Sequence, residues 1–342
     1  MTTRDIFPRT AHPTLVQVAA VAGVSLKTAS RVFSGSAEVA PVTVRKVKLA
    51  AELVGYRSNL IARELRSKAP SKLIGMVISD LGNPFYAGMA AGAEEKLSES
   101  GFDFILATAR DDGKRERTLI ESLLERRVRG LIIVPSDRDY SYLHLERQRG
   151  LSLVFVDRPA PLLEADMVLV DNQGGIANAM EYLIDQGCRK IGLIADNRNI
   201  WTSEERVKGF QNFIANKRLN VKFFPVMSGI HNAEDAEKVA RSLICEEDPL
   251  DGLIAANDLI AIGIGHAINA SHSNIKVVSF DDFPFAKLMG ITTLDHDSKR
   301  LGLLAAETLL SRISNPTNSP SRTKLMKVSV KKDLLNKAAI NG

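Results

Sequence analysis

Residues 14–34 read TLVQVAAVAGVSLKTASRVFS, and this stretch decides how the rest of the chain is organised. Its first half spaces apolar residues so that they share one helix face over Leu15–Ala22. Gly23 can adopt the positive φ of a tight helix-ending turn, and Ser25 stands where an N-cap hydroxyl would accept a hydrogen bond from the next turn. A second helix is expected over residues 26–33. The pattern predicts two short helices joined by a tight turn.

The second of these helices has one apolar face, which would be buried, and one polar, basic face. The residues on the polar face are Leu26, Lys27, Thr28, Ser30 and Arg31. Hydroxyl groups and long basic side chains at the N-terminal end of a helix suit contacts with DNA phosphates and bases. A DNA-reading helix-turn-helix is therefore one interpretation. An ordinary helical hairpin with a solvated polar face is the other, because the motif is loose.

Basic residues are concentrated at the start of the chain. Residues 1–72 contain 12 Lys and Arg against 4 Asp and Glu, a net charge of +8, whereas the remaining 270 residues carry a net charge of −3. A basic segment of this kind indicates a polyanionic partner. Nucleic acid fits better than a membrane surface, because the same segment contains the helix-turn-helix pattern.

The sequence disfavours several classes of protein. No apolar run approaches the roughly 18 residues that span a bilayer, and the first 13 residues lack the apolar stretch of a signal peptide, so a cytoplasmic protein is expected. The two cysteines, Cys188 and Cys245, form neither a disulfide framework nor a zinc pattern. No metal-binding, nucleotide-binding or catalytic motif rises above chance. We expect no enzyme activity, no cofactor and no metal.

The remainder of the chain predicts one more basic helix and then an α/β core. The third helix, over residues 42–54 after Pro41, closes a three-helix headpiece. From Lys72 onward, short β-branched runs alternate with amphipathic helices, for example over residues 85–100 and 114–127, which indicates a doubly wound parallel sheet. A second series of the same kind follows, so a core of two α/β lobes is expected.

Nearly every predicted strand is followed by a charged or amide side chain. These side chains are Asp80, Asp157 with Arg158, Asp171 with Asn172, Asn257 with Asp258, Asp281 with Asp282, and Asp295. Ligands bind beyond the carboxyl ends of strands in open α/β sheets. Carboxylates and guanidinium groups can hold sugar hydroxyls bidentately, and Phe85 and Tyr86 would supply an aromatic platform for a sugar ring. The alternative role for each carboxylate is a helix cap or a turn, and for Asp171 the two are evenly balanced.

The chain resembles the LacI/GalR (lactose repressor) family of transcriptional regulators. The resemblance rests on the order T-L-x-x-V-A-x-x-A-G-V-S followed by T-x-S-R-V within residues 14–32, and it continues through the rest of the chain. It implies a helix-turn-helix headpiece, a hinge helix and a core of two doubly wound lobes like those of periplasmic sugar-binding proteins. It also implies a homodimer, or a tetramer, on a palindromic operator in double-stranded DNA. The helix that starts near Phe85 and its neighbours would carry the dimer contact.

The resemblance divides the chain into five parts. They are an N-terminal arm (1–13), the helix-turn-helix domain (14–58), a hinge helix and linker (59–71), an N-lobe (72–170 with 299–326) and a C-lobe (171–298 with 327–342).

Two sets of site residues follow from the resemblance together with the residue chemistry. The DNA-binding set is Thr14, Leu15, Ser25, Leu26, Lys27, Thr28, Ser30, Arg31, Ala62 and Leu65. In this set Leu65 would wedge into the minor groove, although a plain charged linker is the alternative for residues 59–71. The effector-binding set is Asn83, Phe85, Tyr86, Asp157, Arg158, Asp171, Arg206, His231, Asn257, Asp281 and Asp295.

The effector set favours a neutral sugar or polyol. In the related sites an aromatic residue often stands near the position of His231, and a glutamine often stands near that of Asp295. The acidic Asp295 argues against a phosphorylated or carboxylated ligand, and the Asp157–Arg158 pair suits polyols better than purines. A regulator that responds to a nucleobase or to a protein co-repressor is the alternative, as is a sugar receptor without regulatory DNA binding.

Overall fold

The computed structural model describes residues 13–34, 38–56, 70–245, 247–316 and 321–331. The chain forms two compact units, residues 1–71 and 72–342. The predicted hinge residues Ala62 and Leu65, and all of the predicted N-terminal arm except its last residue, lie outside the described ranges.

The first unit contains the three helices that the sequence predicts. They are α1 (Leu15–Ala22), α2 (Leu26–Ser34) and α3 (Pro41–Val54). Gly23 ends α1 with φ of 59° and Gly55 ends α3 with φ of 71°, the left-handed region in which glycine is unstrained. The small core is built from Ala and Val side chains of all three helices. The Phe33 ring packs edge-on against Tyr56 at a centroid distance of 5.3 Å, which ties α2 to the end of α3.

The second unit contains two six-stranded sheets, as expected for two α/β lobes. The first sheet has the order β11-β5-β4-β3-β1-β2, and all its strands are parallel. Its strands are β1 (Leu73–Ile78), β2 (Asp103–Thr108), β3 (Gly130–Ile133), β4 (Ser152–Val156), β5 (Asp166–Val170) and β11 (Thr323–Met326). The side chains of the four inner strands, β1, β3, β4 and β5, are mostly buried on both faces, which is typical of a parallel sheet covered by helices.

The second sheet has the order β12-β10-β9-β8-β6-β7. Its strands are β6 (Ile191–Ile194), β7 (Val226–Met227), β8 (Gly252–Ala255), β9 (Lys276–Ser279), β10 (Thr292–Asp295) and β12 (Ser329–Val330). Only β12 runs antiparallel to its neighbour within this sheet. The helices of the second unit are α4 (Pro84–Glu99), α5 (Gly113–Glu125), α6 (His144–Gln148), α7 (Asn172–Asp185), α8 (Trp201–Lys217), α9 (Ala233–Ile244), α10 (Asp258–Ser271) and α11 (Ser298–Ser314).

The chain passes between the lobes three times, at residue 171, at residues 296–297 and at residues 327–328. After the second crossing, α11 returns to the first lobe and packs against α4. Glycines make this helix contact close. A Cβ atom at Gly92 would overlap the carbonyl group of Lys299, and one at Gly302 would overlap that of Met89. The apolar side of α4 is therefore buried against its own chain.

Candidate functional site

A cavity of about 200 Å³ lies between the two lobes, at the carboxyl ends of their strands. The structure brings nine residues of the effector set to its wall. They are Asn83, Phe85, Tyr86, Asp157, Arg158, Arg206, His231, Asn257 and Asp281. These residues are up to 198 positions apart in the chain, so the lobes and their crossings create the cavity.

The other two residues of the effector set are Asp171 and Asp295. Asp171 accepts a hydrogen bond from the Gly174 amide at 3.1 Å, which caps α7, and Lys327 Nζ donates to its other oxygen at 2.8 Å. Of the two roles that the sequence left open for Asp171, the structure shows the helix cap, and Asp171 is not among the described residues that line this cavity. A residue between a strand and the helix that follows at once serves as the helix cap. Asp295 ends β10, and its side chain lies outside the described part of the structure.

Two asparagines of the cavity wall also begin helices. Asn83 Oδ1 accepts a hydrogen bond from the Phe85 amide at 2.8 Å at the start of α4, and Asn257 Oδ1 accepts one from the Ile260 amide at 2.9 Å at the start of α10. The Asn83 Nδ2 group donates across the cleft to Asp258 Oδ1 at 3.1 Å. The capping bonds hold both side chains in one orientation, as a preorganised binding site requires.

The N-lobe side of the cavity is centred on the buried Arg158. Its Nη2 donates to the Tyr86 hydroxyl at 2.9 Å and its Nη1 donates to Asp111 Oδ1 at 2.5 Å. Asp157 precedes it in a turn with φ of 69° and is 2% exposed. Burial raises the pKa of Asp157, although the Arg158 charge opposes the change. Burial likewise raises the pKa of the Tyr86 hydroxyl, which stays a neutral donor and acceptor.

The C-lobe side is centred on the buried Arg206. Its Nε donates to Asn172 Oδ1 at 2.8 Å, its Nη1 donates to the Ala256 carbonyl, and its Cζ lies 3.8 Å from the centre of the Phe280 ring. Its Nη2 lies 3.8 Å from Asp281 Oδ1. Burial opposes ionisation of Asp281, but the nearby Arg206 and His296 outweigh it and lower the pKa of this carboxyl.

His296 is a buried part of the site that the sequence analysis missed. Its Nε2 lies 2.9 Å from Asp281 Oδ1, and its ring stacks on Phe85 at a centroid distance of 5.3 Å. Phe85 and Tyr86 are only 6% and 8% exposed and pack edge-on against each other. The predicted aromatic platform is therefore largely used inside the protein and presents little area to a ligand.

The cavity wall also contains polar residues that were not in the predicted effector set. They are Ser79, Asp80, Arg110, Asp111, Asp196, Thr202 and Ser203. Applying the strand-end rule to β2 and β6 would have found Arg110, Asp111 and Asp196. His231 Nδ1 lies 3.0 Å from Asp196 Oδ1, and this hydrogen bond, with the charge of Asp196, raises the pKa of the histidine.

The cavity is suited to a polar ligand with several hydroxyl groups. Within the described ranges, Asp157 Oδ1 and Arg158 Nε are buried and have no hydrogen-bond partner. Such groups are costly unless a ligand or a water satisfies them. In the same ranges, no group of three or more His, Cys, Asp or Glu side chains is placed to hold a metal ion. No described helix is both long enough and apolar enough to cross a membrane.

The first unit presents a second candidate site on α2. Leu26 is 49% exposed, Lys27 is exposed, and Arg31 lies on the same face, 3.3 Å from Glu38. The hydroxyl of Ser25 accepts a hydrogen bond from the Thr28 amide at 3.1 Å, so the predicted N-cap is present.

Other members of the DNA-binding set have structural roles in the headpiece. Thr14 caps α1 in a reciprocal arrangement with Gln17, and Leu15 is partly buried against the headpiece core. Ser30 is half-buried on α2. The exposed surface of α2 therefore offers an apolar side chain, two long cations and several hydroxyls for recognition of a nucleic acid.

Comparison with known proteins matches both units to one family. Residues 14–59 match the model described as bacterial regulatory proteins, lacI family. Residues 71–333 match the model described as periplasmic binding proteins and sugar binding domain of LacI family. The family models thus cover the headpiece and the two-lobed core separately.

Individual relatives match over nearly the whole chain. The HTH-type transcriptional regulator CelR of Thermobifida fusca is 31% identical over 327 residues, which cover 92% of this chain and 96% of that protein. The ribose operon repressor of Haemophilus influenzae is 29% identical over 313 residues, which cover 90% and 93%. Among solved structures, the transcriptional regulator CelR–cellobiose complex is 28% identical with a TM-score of 0.67, and the match covers 94% of this chain and 99% of that one. The protein therefore belongs to the lacI family of bacterial regulatory proteins and is a DNA-binding transcriptional regulator.

Proposed function

We propose that this regulator acts in the cytoplasm, binds a palindromic operator as a homodimer, and is switched by a neutral sugar or polyol bound between its lobes. The observation that carries the proposal is the cavity wall, in which buried carboxylates and guanidinium groups converge from both lobes and leave polar atoms unsatisfied. A ligand with many hydroxyls can donate to the carboxylates and accept from the guanidinium groups at once.

The composition of the wall supports a neutral ligand over an anionic one. Among the described residues, five carboxylates and three guanidinium groups line the cavity, and Arg158 and Arg206 already face Asp111 and Asp281. The carboxylates of the cavity wall would repel a ligand that carries a phosphate or carboxylate group. The names of the relatives support the same class, since one was solved with cellobiose and another is a ribose operon repressor.

For DNA recognition, α2 would lie in the major groove. Lys27 and Arg31 can reach guanine O6 and N7, and Leu26 can cover a thymine methyl group. The hydroxyl groups at the helix starts would contact phosphates. These residues are Thr14, Ser25, Thr28 and Ser30. In the hinge, Ala62 and Leu65 would contact the minor groove, with Leu65 as the wedge.

A dimer requires a surface that the chain leaves uncovered. Because the apolar side of α4 packs against α11 within the chain, a dimer contact through α4 would use its exposed side. The C-lobe adds Phe285 and Leu288, which are 64% and 85% exposed. Neighbouring exposed apolar side chains of this size are typical of an association surface. We infer that both regions contribute to the dimer.

The switch would operate through the arrangement of the lobes. A ligand that contacts both walls favours one lobe arrangement, and the lobes connect to the DNA-binding unit through residues 59–71. The coupling between effector and operator binding is then expected to be about 1–3 kcal/mol.

The test is to incubate the purified protein with fragmented genomic DNA at near-physiological salt and to sequence the retained fragments. Recovery of a few palindromic sites, released by one sugar of a panel, would support the proposal. Uniform retention that disappears as salt is raised would show that the protein contacts only the DNA phosphates. That result would contradict recognition of a base sequence by α2. Specific sites that no sugar releases or tightens would contradict the effector part only.

A further inference from the structure

A second cavity of about 780 Å³, here called the outer cavity, adjoins the first, here called the inner cavity. Its lining includes the exposed residues Arg138, Asn197 and Asn199. The two cavities share four wall residues, namely Asp111, Arg158, Ile200 and His231. The outer wall comes from both lobes, as the inner wall does, with Arg138 and Pro161 on the N-lobe side and the start of α8 on the other. A ligand in the inner cavity could therefore extend outward past these four side chains without leaving the cleft.

The outer cavity contains the aromatic surface that the inner cavity lacks. Trp201, the single tryptophan of the chain, begins α8, lines the outer cavity and is partly exposed. By contrast, the Phe85 and Tyr86 rings at the inner cavity are almost completely buried. An indole offers a large apolar face that can cover the CH-rich face of a sugar ring.

The polar groups around Trp201 suit hydroxyls more than a net charge. Arg198 donates to Glu204 through two hydrogen bonds of 2.7 and 3.1 Å, and Lys208 lies 2.9 Å from Glu205. These cations are neutralised by their partners but keep donors for a neutral ligand. Asn197 and Asn199, exposed in the same loop, add amide groups with both donor and acceptor capacity.

We propose that the outer cavity is a second sugar subsite and that the effector is a disaccharide or a longer oligosaccharide. One ring occupies the inner cavity and the next packs on Trp201, with the glycosidic bond passing between Ile200 and His231. This inference rests on the proposed function, because it takes a sugar in the inner cavity as its starting point. Beyond the proposed function, it specifies the size of the effector and assigns selection for that size to Trp201.

The test uses the full chain and a panel of common monosaccharides together with the disaccharides built from them, including glucose with cellobiose and maltose, galactose with lactose, and xylose with xylobiose. Affinity is measured by calorimetry. Trp201 emission is recorded in parallel, because a single tryptophan reports on the outer cavity without background. We expect one disaccharide to bind at least about tenfold more tightly than either of its component sugars and to shield Trp201 from acrylamide quenching.

Variants separate a subsite from a structural effect. Trp201→Ala should weaken the disaccharide about tenfold or more and its component sugars less than about threefold, whereas Trp201→Phe should restore much of the difference. Phe223→Ala removes an exposed aromatic residue of the C-lobe that lies outside the lining of both cavities, and it serves as the control.

The outcomes distinguish this inference from the proposed function. If a monosaccharide binds and none of its disaccharides binds more tightly, the second subsite is overturned while the sugar-responsive regulator stands. The inference also fails if Trp201→Ala weakens both ligands equally. If no sugar of any size binds, the effector part of the proposed function fails and the inference fails with it.

Discussion

At the scale of single residues, the buried carboxyl of Asp258 makes the stability of the folded protein depend on pH. It is fully buried and accepts the hydrogen bond from Asn83 that crosses between the lobes. Burial and the neighbouring charge of Asp281 raise its pKa to about 7. The folded protein therefore keeps a proton on Asp258 at pH values where the unfolded chain has lost it.

This difference predicts a specific pH dependence of stability. Between about pH 4 and pH 7 the folded state binds one more proton than the unfolded state, so the stability due to Asp258 is complete below pH 4 and is lost as pH rises to 7. Asp258→Asn keeps an acceptor for Asn83 and has no carboxyl to titrate. The free energy of unfolding of the variant relative to wild type should therefore be higher at pH 8 than at pH 4 by roughly 2–4 kcal/mol. Urea unfolding at both pH values measures the change. The exposed Asp185→Asn is the control, and equal pH trends in wild type and Asp258→Asn would refute the prediction.

A second residue-scale prediction concerns Arg31 in the headpiece. If this side chain reads a base, Arg31→Ala should cost about 1–3 kcal/mol of operator affinity and relax specificity at one base pair. Its ion pair with Glu38 is exposed on both sides and contributes little to stability. Glu38→Gln is therefore the matched control: it frees Arg31 and should not weaken binding. Operator titrations by fluorescence anisotropy would decide, and an equal loss in both variants would indicate a structural role for the pair.

At the scale of elements, the contact between α4 and α11 leaves no room for a side chain at two glycine positions. Both helices carry a glycine where the partner backbone passes, so the helix axes approach more closely than side chains would allow. Helix α11 also packs on β3, β4 and β5 of the N-lobe sheet, and α4 carries Asn83 at its N-cap and Phe85 and Tyr86 in its first turn. Close helix packing is thus part of what positions the cavity wall.

Gly92→Ala tests this contact directly. The new methyl group would overlap the Lys299 carbonyl, a backbone group that cannot rotate away. The overpacking should destabilise the protein by about 1–3 kcal/mol, even though alanine favours helix more than glycine does. The midpoint of thermal unfolding should fall accordingly. Ser98→Ala, on the exposed side of the same helix, should change it little, and a Gly92→Ala variant as stable as the wild type would contradict the close contact.

At the scale of the whole molecule, the important feature is that charged groups of both lobes face one cavity. Each lobe has its own buried guanidinium group, Arg158 in the N-lobe and Arg206 in the C-lobe. Neither lobe alone encloses the cavity, so a ligand that contacts both walls would link its binding to the arrangement of the lobes.

Asp281→Asn should separate effector response from DNA binding. The substitution removes the charge that faces Arg206 and His296 and one bidentate acceptor for hydroxyls, so effector affinity should fall at least about tenfold. Operator affinity without effector should stay within about threefold, because α2 is in the other unit. Anisotropy titrations with and without the effector sugar provide both values.

Asp171→Asn is the matched control for this prediction. Asp171 also follows a strand, but it caps α7 away from the cavity, and asparagine is an equally good cap. Its effector response should match that of the wild type. If Asp171→Asn abolished the effector response and Asp281→Asn did not, the effector would bind near Asp171 and not in the cavity that Asp281 lines.

The sequence by itself determined the features whose physical signals are local. The turn at Gly23, the cap at Ser25 and the bounds of α1 depend on residues within one helical turn, and the alternation of strands and helices depends on periodicity over about ten residues. The strand-end rule also found part of the cavity wall, because strand ends in parallel sheets meet at one edge. It found Asp80, Asp157, Arg158, Asn257 and Asp281, whereas the full effector set needed the resemblance to the LacI/GalR family.

Only the tertiary structure decided which of the strand-end residues share the cleft and what surrounds them. Asp157 and Asp171 both follow strands, yet a left-handed turn directs one to the cavity while a helix cap holds the other away from it. His296 reaches Asp281 because the chain crosses between the lobes there, and Trp201 lines the outer cavity because two lobes close around it. Contacts between residues far apart in the chain are produced by packing of the lobes, and no pattern of neighbouring residues encodes them.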